Sequence, residues 1–102
     1  MTLTIRGSEL RRDELQEHAQ RRLGFALGRF GAAVTGVRVS VSDENGPRGG
    51  VDKRCRIEVR GPRRLAVVVE DSASDERAAI ARAAERAGRA FARELERRRA
   101  RR

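Results

Sequence analysis

The chain has 102 residues and a formal charge of +9, from 24 basic and 15 acidic side chains, with one cysteine, one histidine and no Trp or Tyr. That length predicts one small domain of marginal stability, and the charge points to nucleic acid or an anionic surface rather than an acidic small molecule. Cys55 alone excludes an intramolecular disulfide or a multi-cysteine metal site, and no run is long and apolar enough to span a bilayer.

Thr2–Arg6 (TLTIR) alternates and predicts a short strand with Leu3 and Ile5 on one face. Gly7–Ser8 breaks it, and Ser8 is placed to cap a helix running from Glu9 or Arg12 to Arg29. Leu15, Ala19, Leu23, Ala26 and Phe30 share one side of that helix, and Gly31 is its expected stop. Val37–Asp43 predicts a second strand with Val37, Val39 and Val41 facing inward, followed by the turn-rich loop ENGPRGG. Val51–Arg60 alternates again, with Cys55, Ile57 and Val59 inward and Arg54, Arg56 and Arg60 outward. Gly61–Pro62 turns the chain into a fourth strand, Arg64–Asp71.

From Ser74 the sequence predicts a long helix with two stripes. Ile80, Ala84, Ala87, Phe91 and Leu95 form an apolar face. Arg82, Arg86, Arg89, Arg93 and Arg97 recur about 200° away at roughly 100° per residue. Charge returns to the core azimuth at Arg98, so packing is expected to end near Leu95. The domain is therefore taken as 1–97, with 98–102 a solvated basic tail.

The expected fold is α+β, in the order β-α-β-β-β-α. A right-handed parallel crossover opens it and an antiparallel meander follows. The result is a four-stranded mixed sheet with two helices on one face, like a double-stranded-RNA-binding domain with an added first strand. The other sheet face stays wet and carries Arg6, Arg38, Arg54, Arg56 and Arg60 beside Glu58 and Glu70.

Catalysis finds no support: His18 falls on a helix surface without an evident partner, Cys55 packs inward, and no phosphate-loop or dinucleotide glycine pattern follows a strand. No cofactor, metal or small-molecule substrate is implied. Phe30 and Phe91 fall on core faces, so a stacking platform for single-stranded RNA is missing. Arginine supplies 23 of the 24 basic residues, and its planar fork suits phosphate. A solvated face balanced by glutamates is the plain alternative, but residues 86–102 hold eight arginines against two glutamates. Contact with folded RNA through Arg82, Arg86, Arg89, Arg93 and Arg97 is expected, supplemented by Arg21, Arg22, Arg29, Lys53, Arg54 and Arg56. Gly24 and Gly28, mid-helix near Arg21, would allow close approach of a partner or are simply tolerated.

Three segments carry a resemblance. The opening TLTIRGSEL with a helix ending LGRFG, the stretch VRVSVSDENGPRGGVDKRCRIEVRG, and EDSASDERAAIARAAERAGRAF together resemble the ribosome hibernation-promoting factors, the ribosome-associated inhibitor family. In the last segment Asp75, Ala79 and Ile80 fit a run of the type Asp-x-Tyr-x-Ala-Ile-Asp, while Arg77 replaces the aromatic and Ala81 the second acid. Arg86, Arg89 and Arg93 fall where the family keeps basic residues. The resemblance implies the same β-α-β-β-β-α fold. It also implies binding to the small ribosomal subunit, where messenger and transfer RNA would sit, with translation blocked in stationary or stressed cells. The implied setting is cytoplasmic, with no membrane, and the C-terminal dimerisation domain of long members is not expected here. Rival expectations are a general structured-RNA-binding module and a protein-interaction regulator.

Overall fold

The computed structural model describes residues 2–6, 11–43 and 53–100. The expected Ser8 cap, the ENGPRGG loop, the start of the third strand at Val51, Arg101–Arg102 and the facing of Leu3, Ile5 and Arg6 lie outside what is described. Strand β1 spans Thr2–Arg6, helix α1 Arg12–Leu27, β2 Gly36–Asp43, β3 Lys53–Arg60, β4 Ala66–Ala73 and helix α2 Glu76–Ala100. The strands lie in the order β1-β2-β3-β4. β1 is parallel to β2, and the β2–β3 and β3–β4 pairs are antiparallel.

Register explains the core. Val37, Val59 and Val67 lie side by side across β2, β3 and β4, as do Val39, Ile57 and Val69. The next inward row is Val41, Cys55 and Asp71, so this row places a carboxylate at the β4 edge, with the buried Ala73 beyond it. Both helices cover this face. Leu15, Ala19, Leu23 and Leu27 of α1 recur at i,i+4 and are buried, against Ala79, Ile80, Ala83, Ala84, Ala87 and Phe91 of α2. Asp75 caps α2, its Oδ1 accepting the Ala78 N–H at 2.8 Å.

An alanine-rich helix face permits close helix contact, and the closest point is at Gly88. A Cβ built there would lie 2.8 Å from the Ala26 carbonyl oxygen. A Cβ built at Gly24 or Gly28, by contrast, would meet nothing within 4 Å. Both glycines open onto an apolar groove of about 250 Å³ shared with Leu23, Leu27, Val34 and Val37. A paired prediction follows from the difference. Gly88→Ala gains about 1 kcal/mol of helix propensity but overpacks the interface by roughly 1–3 kcal/mol, so the urea midpoint should fall. Gly24→Ala gains the propensity alone, and its midpoint should rise.

Several boundaries differ from those predicted. α1 ends at Leu27, two residues before Arg29, and a 3-10 turn over Gly28–Ala33 carries the chain onward. Gly31 has φ 53° and ψ −127° within that turn, a conformation glycine alone adopts without strain. β4 begins at Ala66 rather than Arg64, because Arg63 and Arg64 form the hairpin turn. α2 continues to Ala100, and Arg98 is only 35% exposed rather than part of a solvated tail. Its Nη1 donates to the Arg63 carbonyl at 2.9 Å and lies 3.4 Å from the Pro62 carbonyl. Where the apolar face of α2 runs out, backbone carbonyls of the hairpin take its place, and a guanidinium on the core azimuth is what they require.

Candidate nucleic-acid interface

The arginine stripe of α2 is present and exposed, but its first two members flank β4 instead of pointing straight away from the core. The half-buried Asp71, which follows Val67 and Val69 on the inward side of β4, draws them there. Arg82 Nε lies 3.3 Å from Asp71 Oδ1, and Arg86 Nε lies 3.4 Å from Asp71 Oδ2. One carboxylate therefore aligns two guanidiniums at the sheet rim. Further along, Arg89 pairs with Glu85 at 3.2 Å and Arg97 with Glu94 at 3.3 Å. Arg93 has no carboxylate within ion-pair distance among the described residues. Glutamates thus accompany part of the stripe. Exposed pairs of this kind contribute roughly 0–1 kcal/mol each, so a phosphate can displace the carboxylate at small cost.

The remaining candidates fall on two other surfaces. On α1, Arg21 pairs with Glu17 at 3.2 Å and Arg22 is half-buried, while Arg29, in the 3-10 turn that follows, lies 4.7 Å over the Phe30 ring. On the open sheet face, Arg54 and Arg56 line a shallow cavity of about 280 Å³ with Thr4, Ser40, Ser42 and Glu70. Arg38 and Arg60, also on that face, close on Glu58 at 3.8 and 3.0 Å. The Arg60 hydrogen bond, aided by the charges of Arg60, Arg38 and Arg56, holds the Glu58 carboxyl below its usual range. Lys53 stands apart: its ammonium is 3.0 Å from Asp43, and both side chains are largely covered. The structure thus gathers Arg82, Arg86, Arg89, Arg93 and Arg97 into one row and Arg54 with Arg56 into a second patch. It leaves Arg21 and Arg22 on α1 and Arg29 in the turn that follows it.

Two residues correct the sequence reading. His18 is not without a partner, since its Nε2 lies 3.0 Å from the Arg77 carbonyl oxygen on α2. Phe25 is 81% exposed on α1, so one aromatic ring does face solvent. Phe25 lies two residues from both Leu23 and Leu27, about 200° round the helix from the buried stripe, which was the available signal. Asp71 was detectable too, as the inward continuation of Val67 and Val69. Cys55 is buried, and desolvation, reinforced by the charge of Asp71, pushes its thiol up to about 12. Alkylation of Cys55 by iodoacetamide at pH 8 should therefore track opening of the sheet and be complete only in denaturant. Rapid labelling of the native protein would contradict this burial.

No group of three or more candidate metal ligands exists among the described residues, and no described helix is long and apolar enough to cross a membrane. Residues 3–99 match the profile of the family described as sigma 54 modulation protein / S30EA ribosomal protein. Among solved structures, the fold is similar to the N-terminal domain of Protein Y from Thermus thermophilus, with 23% identity and a TM-score of 0.64. That match covers 91% of this chain and 98% of the other. It is also similar to a ribosomal subunit interface protein from Coxiella burnetii, at 10% identity and a TM-score of 0.72, covering 94% and 99% of the two chains. No curated protein sequence matches.

Proposed function

The chain belongs to the sigma 54 modulation protein / S30EA ribosomal protein family, the ribosome-associated hibernation factors, which are not enzymes; from that premise we propose that it occupies the messenger–transfer RNA channel of the small ribosomal subunit and silences translation in the cytoplasm of resting cells. The observation that carries this reading is the row of five exposed guanidiniums on one rim of the fold, from Arg82 to Arg97. Spaced along about 22 Å of helix at 1.5 Å per residue, they suit successive phosphates of a folded RNA rather than a single small anion. Arg54 and Arg56 on the open sheet face offer a second contact to RNA on the other side of a domain held between two surfaces. A plug of this kind needs no chemistry, only shape and charge.

The test is binding to isolated small subunits across a salt series, with and without transfer RNA. The proposal expects binding that transfer RNA competes away and that weakens by roughly 0.7–0.9 log units per tenfold salt for each phosphate neutralised. The same row of exposed guanidiniums would also serve a second reading, a general binder of folded RNA. That reading expects the same salt dependence without competition.

A further inference from the structure

The β3–β4 turn carries two arginines in a backbone conformation that arginine disfavours. Gly61 N–H donates to the Leu65 carbonyl at 2.8 Å, and Leu65 N–H to the Pro62 carbonyl at 3.0 Å. Between them Arg63 has φ 56° and ψ 43°, and Arg64 has φ 62°. Positive φ at both central residues defines the mirror-image turn that matches sheet twist, and it strongly prefers Asn-Gly because a Cβ is strained there. A hairpin that needed only to close would be more stable with those residues.

The surroundings hold the strained turn in place. Arg98 at the end of α2 donates to the Arg63 carbonyl and is itself oriented by Glu94, whose Oε1 lies 3.5 Å from its Nε. Behind the turn, the Phe91 ring leaves no room for a Cβ at Gly61, its Cζ lying 2.9 Å from that point. Outward, Arg63 and Arg64 are exposed, and neither has a carboxylate within ion-pair distance among the described residues. Strain kept in a rigid, exposed position marks a functional contact more often than a structural one. The turn also continues the stripe. Arg82 and Arg86 meet β4 at Asp71, Arg98 meets the hairpin that opens β4, and the helix between these two points carries the exposed Arg89, Arg93 and Arg97.

We propose that Arg63 and Arg64 form a further phosphate-binding point for ribosomal RNA, a two-arginine tip set beside the last turn of α2 at the end of its arginine row. This rests on the ribosome-binding reading above. The test compares three double variants with the wild-type chain, by thermal unfolding and by small-subunit binding across a salt series. R63N/R64G should raise the unfolding midpoint, weaken binding by tenfold or more at 0.1 M salt, and lower the salt slope by about 1.4–1.8. R63K/R64K, which keeps charge and conformation, should bind within a few-fold of wild type. R11Q/R12Q removes equal charge at the opposite end, where α1 begins, and should weaken binding less.

A stabilised R63N/R64G that binds like wild type would overturn the tip as a contact while leaving the ribosome reading intact. Equal losses in R63N/R64G and R11Q/R12Q would overturn it in favour of net charge. Failure of the wild-type chain to bind small subunits would overturn both proposals together.

Discussion

Replacing Arg89, Arg93 and Arg97 together with glutamate should abolish measurable binding to small ribosomal subunits and leave the fold standing. Each guanidinium that neutralises a phosphate contributes about 0.7–0.9 to the slope of log affinity against log salt. Losing three removes roughly 2.1–2.7 from that slope, and reversed charge adds repulsion. The affinity should therefore fall by on the order of a hundredfold or more at 0.1 M salt. Stability should change little, because the pairs lost, Arg89–Glu85 and Arg97–Glu94, join side chains that are exposed on at least the arginine side. Arg86 is left untouched, since a glutamate there would confront the half-buried Asp71 and confuse a binding effect with a folding one. Circular dichroism and a salt-dependent binding series settle the matter. Wild-type affinity in a folded triple variant would remove the stripe from the interface.

Much of the architecture was legible because period-two and period-3.6 patterns report directly on burial. Val37, Val39 and Val41, and then Cys55, Ile57 and Val59, alternate so cleanly that inward facing admits one reading, and their cross-strand pairing follows. The stripe on α2 was legible for the same reason. Local signals failed where a tertiary partner decided the outcome. Arg64 looks like the start of a strand because nothing in Arg-Arg announces a positive-φ turn. The hairpin tolerates it because Arg98, 34 residues later, binds the carbonyl beside it. Arg98 looked solvated because its azimuth is apolar higher up the helix, whereas at its own level the facing surface is backbone oxygen. The glycines mislead in the same way. Gly24 and Gly28 stand out as a spaced pair yet have open space where a Cβ would be, while Gly88, hidden in an alanine run, is where the helices meet. The facing of Asp71 could be read from alternation, but its role as anchor for Arg82 and Arg86 depended on how α2 crosses β4.

Phe91→Ala should unfold most of the protein at room temperature or leave it barely stable. Phe91 is fully buried, and its ring meets Phe30 edge-to-face at 5.1 Å between centroids and 68° between planes. Truncating a buried phenylalanine costs about 3–5 kcal/mol, set against a total of roughly 5–15 kcal/mol for a typical domain. The core here has little with which to refill the space, since the α2 face is largely alanine and the strands largely valine. At about 4–8 °C per kcal/mol for a domain near this size, the midpoint should drop by more than ~12 °C. The damage should also reach the arginine tip. Phe91 is wedged against Gly61 at the base of the hairpin, one helical stretch before Arg98 grips the Arg63 carbonyl. Loss of the ring loosens the surface that α2 offers the turn, and the strained Arg63–Arg64 conformation then has less to hold it. Phe91→Leu keeps most of the volume and should retain most of the stability, with urea unfolding followed by circular dichroism as the measure. A Phe91→Ala midpoint within a few degrees of wild type would mean that α2 and the β3–β4 hairpin are not joined through this ring.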